Sequence, residues 1–256
     1  MKKAKYPILE FDETRVAKIE PSRAHQKTEG YEYCVITFFR EVLEEMEKQN
    51  RIKVVKWLNC ETMEVPIYEM EYQGKKVHLS LGYLGSAGSA AFLEELIAYG
   101  FDKFIVCGGA GVLRKDIAVG HLVIPTSAVR DEGASYHYLP PAREVECNPD
   151  VIAKIEAEFN KDGIEYVKGK TWTTDGVYRE TEKKIELRKS EGCLTVEMEA
   201  AAFFAVAKFR NVKLGYILYG GDDLSGVAWD SRKWHSRADV RQNLVDISLR
   251  ICLSLG

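Results

Sequence analysis

Three carboxylates and a thioether stand in this 256-residue chain where they could do chemistry: Glu197, Met198 and Glu199 together, and Asp222 farther on. Glu197 and Glu199 lie just ahead of residues 200–207, an apolar run that carries no charge until Lys208. Residues 193–196 read as a short strand that delivers them to the first turn of a mostly buried helix. Acidic residues suit that place because free backbone N–H groups and the helix dipole favour negative charge, so one reading makes both simple dipole partners. The other reading starts from burial. Carboxylates beside a buried helix must be exposed, paired, or met by a ligand with hydroxyl donors. Adjacent hydroxyls, as on a ribose, suit a bidentate acceptor, and Met198 offers a soft apolar face to a sugar ring. Asp222 follows an apolar strand at 214–219, and the C-terminal end of a strand in an α/β sheet is where ligands are met. Turn capping by Asp222 and Asp223 is the plainer alternative.

The elements that must position these groups can be followed along the chain. Residues 6–27 are irregular, broken by Pro7 and Pro21, with 8–11 as a short strand candidate. Residues 29–50 carry Tyr33, Ile36, Phe39, Val42, Leu43 and Met46 at a helical period and predict a surface helix. Alternation over 52–81 and the turn Gln73-Gly74-Lys75 predict two strands. The glycine- and serine-rich residues 82–89 lead into a helix over 90–99 that stops at Gly100. Such a turn offers N–H groups and hydroxyls to an anion, and equally allows a helix to pack closely on a sheet. Residues 104–107 form a continuous apolar strand that runs into a second glycine-rich turn at 108–111. Further strands are expected at 121–129 and from 167, and helices at 149–163 and 237–253.

The run VEMEAAAFFAVAK, from Val196 to Lys208, resembles the ribose-binding signature of the nucleoside phosphorylase and uridine phosphorylase family, with its methylthioadenosine and AMP nucleosidase relatives. GSAGSAAFLEELIAYG, FIVCGGAG, VIPTSAVRDEGASYHYLP and GGDDLSG carry the resemblance over most of the chain from about Val77. It implies an α/β fold: a single domain over residues 1–256, its central mixed β-sheet partly closed into a barrel and flanked by helices. By the same resemblance Glu197, Met198 and Glu199 would bind the ribose. The segment VKGKTWTTDGVY would cover the base with Trp172, Thr173, Thr174 and Tyr178. Asp222 would be the catalytic acid that protonates a nitrogen of the leaving base.

For phosphate the resemblance points to Ser86 and Gly109, but the chain departs from the family here. Phosphorylases of the family hold phosphate with an arginine in the strand and a threonine in the turn; Val106 and Gly109 stand in those places. The family's Gly-Asp-Pro turn with its arginine is answered by Glu20-Pro21-Ser22-Arg23. Arg23 and Arg130 are the candidate substitutes, the alternatives being an exposed arginine after a proline turn and a partner for Asp131 or Glu132. The Gln-x-Arg pair that reads uracil in uridine phosphorylases is replaced by Thr181-Glu182-Lys183.

The resemblance implies cleavage of the N-glycosidic bond of a small-molecule nucleoside. Phosphorolysis to free base and ribose 1-phosphate, with inorganic phosphate as co-substrate and no cofactor, is the first reading. Hydrolysis is the alternative, because a charge-assisted phosphate contact is missing. A nucleoside-binding protein without turnover is the third, and the presence of Asp222 argues against it. A homo-oligomer, dimer or hexamer, is also implied, with the apolar helix around Phe203-Phe204 as a surface for it.

Composition bounds the remaining classes. A net charge of −3 with interspersed signs argues against nucleic acid. Hydrophobic content of 46% and charged content of 29% suit a globular enzyme rather than a disordered chain. The longest apolar run is too short to cross a membrane, and the start MKKAKYPILEFDE has no apolar signal core, so a cytoplasmic address is expected. The six cysteines form no CxxC pair and the five histidines no HExxH, so core thiols and no metal are expected. Gly109-Ala110-Gly111 does not complete a dinucleotide-binding GxGxxG.

Overall fold

The computed structural model describes residues 3–256. After a short helix α1 (Pro21–Ala24) the elements run β1 (Tyr33–Thr37), α2 (Arg40–Lys48), β2 (Lys53–Asn59), β3 (Glu64–Tyr72), β4 (Lys75–Leu81), α3 (Ser86–Tyr99) and β5 (Lys103–Val112). The second part continues β6 (Leu122–Asp131), β7 (Glu144–Glu146), α4 (Pro149–Lys161), β8 (Tyr166–Thr174), α5 (Glu182–Ser190), β9 (Cys193–Glu197), α6 (Ala200–Arg210), β10 (Lys213–Asp223) and α7 (Ala238–Ser254). One mixed sheet holds the strands in the order β10-β6-β8-β9-β5-β1-β4-β3-β2, with β7 on β6. Because β10 also pairs with β5, the strands β5, β10, β6, β8 and β9 close into a five-stranded barrel, and β1, β4, β3 and β2 extend it as an open sheet. The expected α/β architecture with a partly closed mixed sheet is what forms.

Several local expectations change. Residues 33–37 are a strand, not the start of a helix. All five are buried, with β4 on one side and β5 on the other, both parallel. The β-branched pair Val35 and Ile36 suits that doubly covered position, and the helical spacing of Tyr33 and Ile36 is coincidental. Only the second half of the expected helix forms, as α2, which buries Val42, Leu43 and Met46. Residues 52–81 make three strands rather than two, with the expected hairpin at Gln73-Gly74, where both φ angles are positive (52° and 74°). Residues 8–11 do not form a strand; Pro7–Leu9 is a 3₁₀ turn.

The glycine-rich residues 108–111 are not a turn either. They are the last part of β5, paired with β10 through Gly108 to Ala110 and with β9 at Gly111. A Cβ on Gly111 would stand 2.5 Å from Leu224 and 3.0 Å from Val196. Glycine there lets the end of β10 close over β5, which brings Asp222 toward the carboxylates at the end of β9.

Helix α6 is buried almost throughout: Phe203 is 0% and Phe204 2% exposed, packed in the core between the barrel and α3. That removes it as an oligomer surface, since its apolar face is already used within the chain. Five of the six cysteines are buried, Cys60 alone being exposed. No helix of the described residues is long and apolar enough to cross a membrane.

Candidate active site

The ends of β5, β9 and β10, the loop after β1 and the first part of α7 surround a chamber of about 240 Å³. Glu197, Met198, Glu199 and Asp222 all line it, so the four groups singled out in the sequence meet at one place. The two glutamates do different work. Glu197 Oε1 accepts from the Thr173 hydroxyl at 2.6 Å, and its Oε2 accepts from the N–H groups of Glu199 and Ala200 at 2.8 and 2.6 Å. It therefore caps α6 as a dipole partner while facing the chamber. Glu199 Oε1 accepts the Gly85 N–H at 2.7 Å, and its second oxygen has no hydrogen bond among the described residues. Ser86 donates its hydroxyl to the Met198 carbonyl at 2.7 Å, which ties the start of α3 to the turn before α6.

Burial raises both carboxyls, Glu197 to about 7 and Glu199 to about 8, with the Glu197 charge adding to the shift of Glu199. Glu197 keeps its negative charge more readily than Glu199, because three donors point at it and one at Glu199. The linkage to stability has a definite sign. An unfolded glutamate titrates near about 4.3, so above that value the folded chain holds protons that the unfolded chain has released. Stability is therefore greatest below that value and falls as pH rises, the loss being complete once both folded carboxyls have ionised above about 7 to 8. We expect the ligand-free protein to melt roughly 5 °C lower at about pH 8 than at about pH 5.5. Glu199→Gln should flatten this dependence, and an unchanged slope in thermal melts of that variant would remove the pair as its cause.

At the other end of the chamber Asp222 Oδ2 accepts the Trp229 indole N–H at 2.6 Å. Its neighbour Asp223 is the turn residue: it pairs with Arg232 and accepts the Ser225 N–H at 2.7 Å. Asp222 thus faces the chamber with a second carboxylate, Glu180, in the same wall. Glu180 has no hydrogen bond from the described residues, and burial, followed by the Asp222 charge, pushes it up to about 7. Glu180 was not singled out in the sequence, where it sits in an unremarkable charged stretch.

The residues expected to cover the base are mostly scaffold. Trp172 is fully buried behind the barrel and donates to Asp131 at 3.0 Å. Thr173 holds Glu197, and Thr174 is buried and accepts the Gly176 N–H at 3.2 Å. Successive side chains of β8 point to opposite faces, and on both faces these are taken up by other parts of the protein rather than by the chamber. Tyr178 is 96% exposed and lines only an outer cavity. The apolar walls beside Asp222 and Glu180 are Val177, Leu224 and Trp234.

The anion ligands also fall differently. Gly109 lines the chamber, beneath Trp234. Arg130 does not reach it: its guanidinium donates to the Ser135 hydroxyl and the carbonyls of Pro140 and Leu139, at 2.8, 2.7 and 3.2 Å, and lies over the Tyr136 ring. Arg23 is exposed on α1 and donates to the Lys18 carbonyl at 3.4 Å. The turn after β1, where a strand end meets the chamber, is Phe38-Phe39, and both rings line it. Among the described residues the one cationic side chain in the lining is Arg241 of α7, which donates to the Tyr219 hydroxyl and to Glu41. No sequence pattern marks Arg241; its place is set by where α7 packs.

A model of the Phosphorylase superfamily matches residues 32–250. The chain belongs to this family. A guanosine phosphorylase of Halorubrum lacusprofundi is 30% identical over 164 residues, which cover 62% of this chain and 66% of the relative, just under two thirds of it. Among solved structures, uridine phosphorylase from Vibrio fischeri superposes with a TM-score of 0.72 at 20% identity, over 88% of this chain and 91% of the other. AMP nucleosidase from Bacteroides thetaiotaomicron does so with 0.70 at 23% identity, over 87% of each. At these identities the two structures establish the fold. The family match begins at the first sheet strand, well before Val77, so β1 to β4 belong to the same architecture.

Proposed function

We propose that this phosphorylase-superfamily member cleaves the N-glycosidic bond of a purine nucleoside, with water as the attacking group. Support for the bond class comes from the family and from the arrangement of the chamber. Glu199, and Glu197 behind it, stand where adjacent ribose hydroxyls could be held, and Met198 packs the ring. The charge that Glu197 keeps also favours the positive character that the ribose gains as the base departs. At the far end Asp222 is placed to give a proton to N7 of a purine, and Glu180 to accept a base N–H. A pyrimidine has no nitrogen equivalent to N7.

The choice of water rests on one observation. Among the described residues the chamber gathers four carboxylates, Glu180, Glu197, Glu199 and Asp222, around one cation, Arg241, that is already paired with Glu41. Phe38 and Phe39 line the chamber with apolar rings, and Val106, where the resemblance puts the family's phosphate arginine, is a buried core residue, so a phosphate dianion meets few donors here. Neutral water is the better match for such a site. Phosphorolysis is the second reading, favoured by the name of the guanosine phosphorylase relative and by Nη2 of Arg241, which has no hydrogen bond among the described residues.

Incubating the protein with guanosine, inosine and adenosine, with and without phosphate, separates the two. We expect free base and free ribose at a rate indifferent to phosphate. A requirement for phosphate with ribose 1-phosphate as product would establish the second reading, and Arg241→Met should then raise the KM for phosphate by about tenfold or more. The homo-oligomer is retained as part of the proposal, to be measured by sedimentation.

A further inference from the structure

Beyond the chamber lies a second, larger cavity of about 870 Å³. It joins the chamber through shared walls, Val177, Glu180, Asp222, Leu224 and Trp234, all at the base end and none at the ribose end. Its own lining includes Tyr178, Ile185, Val227 and Trp229, an aromatic and aliphatic surface that is largely exposed, with Tyr178 at 96% and Trp229 at 65%. The hairpin that carries Val227 and Trp229 is held in place. Asp223 and Asp230 exchange backbone hydrogen bonds at 2.8 and 3.0 Å, Arg232 pairs with Asp223, and the Trp229 indole is fastened to Asp222.

We infer that this outer cavity is a subsite for an apolar, flat substituent on the 6-amino group of a purine, so that the preferred substrate is an N6-substituted adenine nucleoside. The inference rests on the purine reading above and extends it. On a purine, N7 and the substituent at C6 share one edge. A base that presents N7 to Asp222 therefore sends its 6-substituent toward the residues that follow Asp222 in the chain, which are the ones lining the outer cavity. Glu180 stands at the junction, unbonded, where it accepts the N–H of a secondary 6-amine. The substituent then lies against Tyr178 and Trp229, whose ring faces favour a flat apolar partner. An unsubstituted purine leaves this surface exposed, as it stands in the free chain.

The test compares N6-benzyladenine with adenine by calorimetric titration of the full chain, and N6-benzyladenosine with adenosine in turnover. The benzyl compound should bind about five- to tenfold more tightly and show a correspondingly higher kcat/KM. Val227→Glu and, separately, Ala228→Tyr, both at the exposed hairpin tip, should abolish that gain and leave adenine binding unchanged. Equal or weaker binding of the benzyl compound, or a gain that survives both variants, overturns the subsite. The two readings fail separately. Cleavage of adenosine without a benzyl gain keeps the proposed function and discards the subsite, whereas a benzyl gain in binding without cleavage of any nucleoside does the reverse.

Discussion

Asp222→Asn is expected to slow nucleoside cleavage by about 10²–10⁴-fold while leaving ground-state binding nearly unchanged. The amide keeps the size of the side chain and can still accept the Trp229 N–H, so the geometry at the end of β10 persists and only the transferable proton is lost. The carboxylate faces the chamber with Glu180 in the same wall. The defect should depend on the leaving group. A purine that leaves poorly needs its N7 protonated, whereas a nucleoside whose base is already a good leaving group needs little help. The ratio of wild-type to variant kcat should therefore shrink across such a series. A constant ratio, or no defect, would return the acid role to another group and leave Asp222 a structural residue of the hairpin.

The second large effect is expected at Glu199. Its free oxygen faces the chamber, and a hydrogen bond from a sugar hydroxyl to the ionised carboxylate, the form present above about pH 8, contributes about 1.5–3 kcal/mol, or roughly ten- to a hundredfold. Glu199→Ala should thus reduce kcat/KM for a ribonucleoside by that factor and reduce it less for the 2′-deoxy analogue, which lacks one of the donors. Glu197 offers a control of a different kind. Its oxygens are occupied by Thr173 and the first N–H groups of α6, so Glu197→Ala should lower the melting temperature as well as activity, through loss of a buried cap. Equal losses on both sugars for Glu199→Ala would remove it from hydroxyl recognition.

What could be read before folding and what could not divide along a physical line. The strand, carboxylate pair and buried helix over residues 193–207 were legible because everything needed is local: an apolar strand, two acids at a helix start, and a charge-free interior. Asp222 was legible for the same reason, as an acid at the end of an apolar strand. The surroundings of β8 were not. Trp172, Thr173 and Thr174 sit in the expected strand, yet what meets each of its two faces comes from distant residues, Asp131 for the Trp172 indole and Glu197 for the Thr173 hydroxyl. The glycines at 108–111 signalled close approach but not its form, a strand rather than a turn, because the approaching groups are distant in the chain, Tyr216 at Gly108, Trp234 at Gly109 and Leu224 at Gly111.

Arg130 and Arg23 show the same limit for charge. A sequence displays where arginines are but not which carbonyls, hydroxyls or carboxylates will consume their donors, and in this fold Ser135, Leu139 and Pro140 do so for Arg130. Phe38 and Phe39 reach the chamber only because β1 is a central strand whose end opens there, and Glu180 and Arg241 reach it from a loop and from the last helix. The sequence by itself showed the carboxylate pair and the carboxylate at the end of β10, which follow from local patterns, while the fold class was implied by the family resemblance of the segments around them. The tertiary structure alone decided which side chains complete the chamber and which cation stands in it. That choice depends on barrel closure between β5 and β10 and on the packing of α7, both set by contacts between residues far apart in the chain.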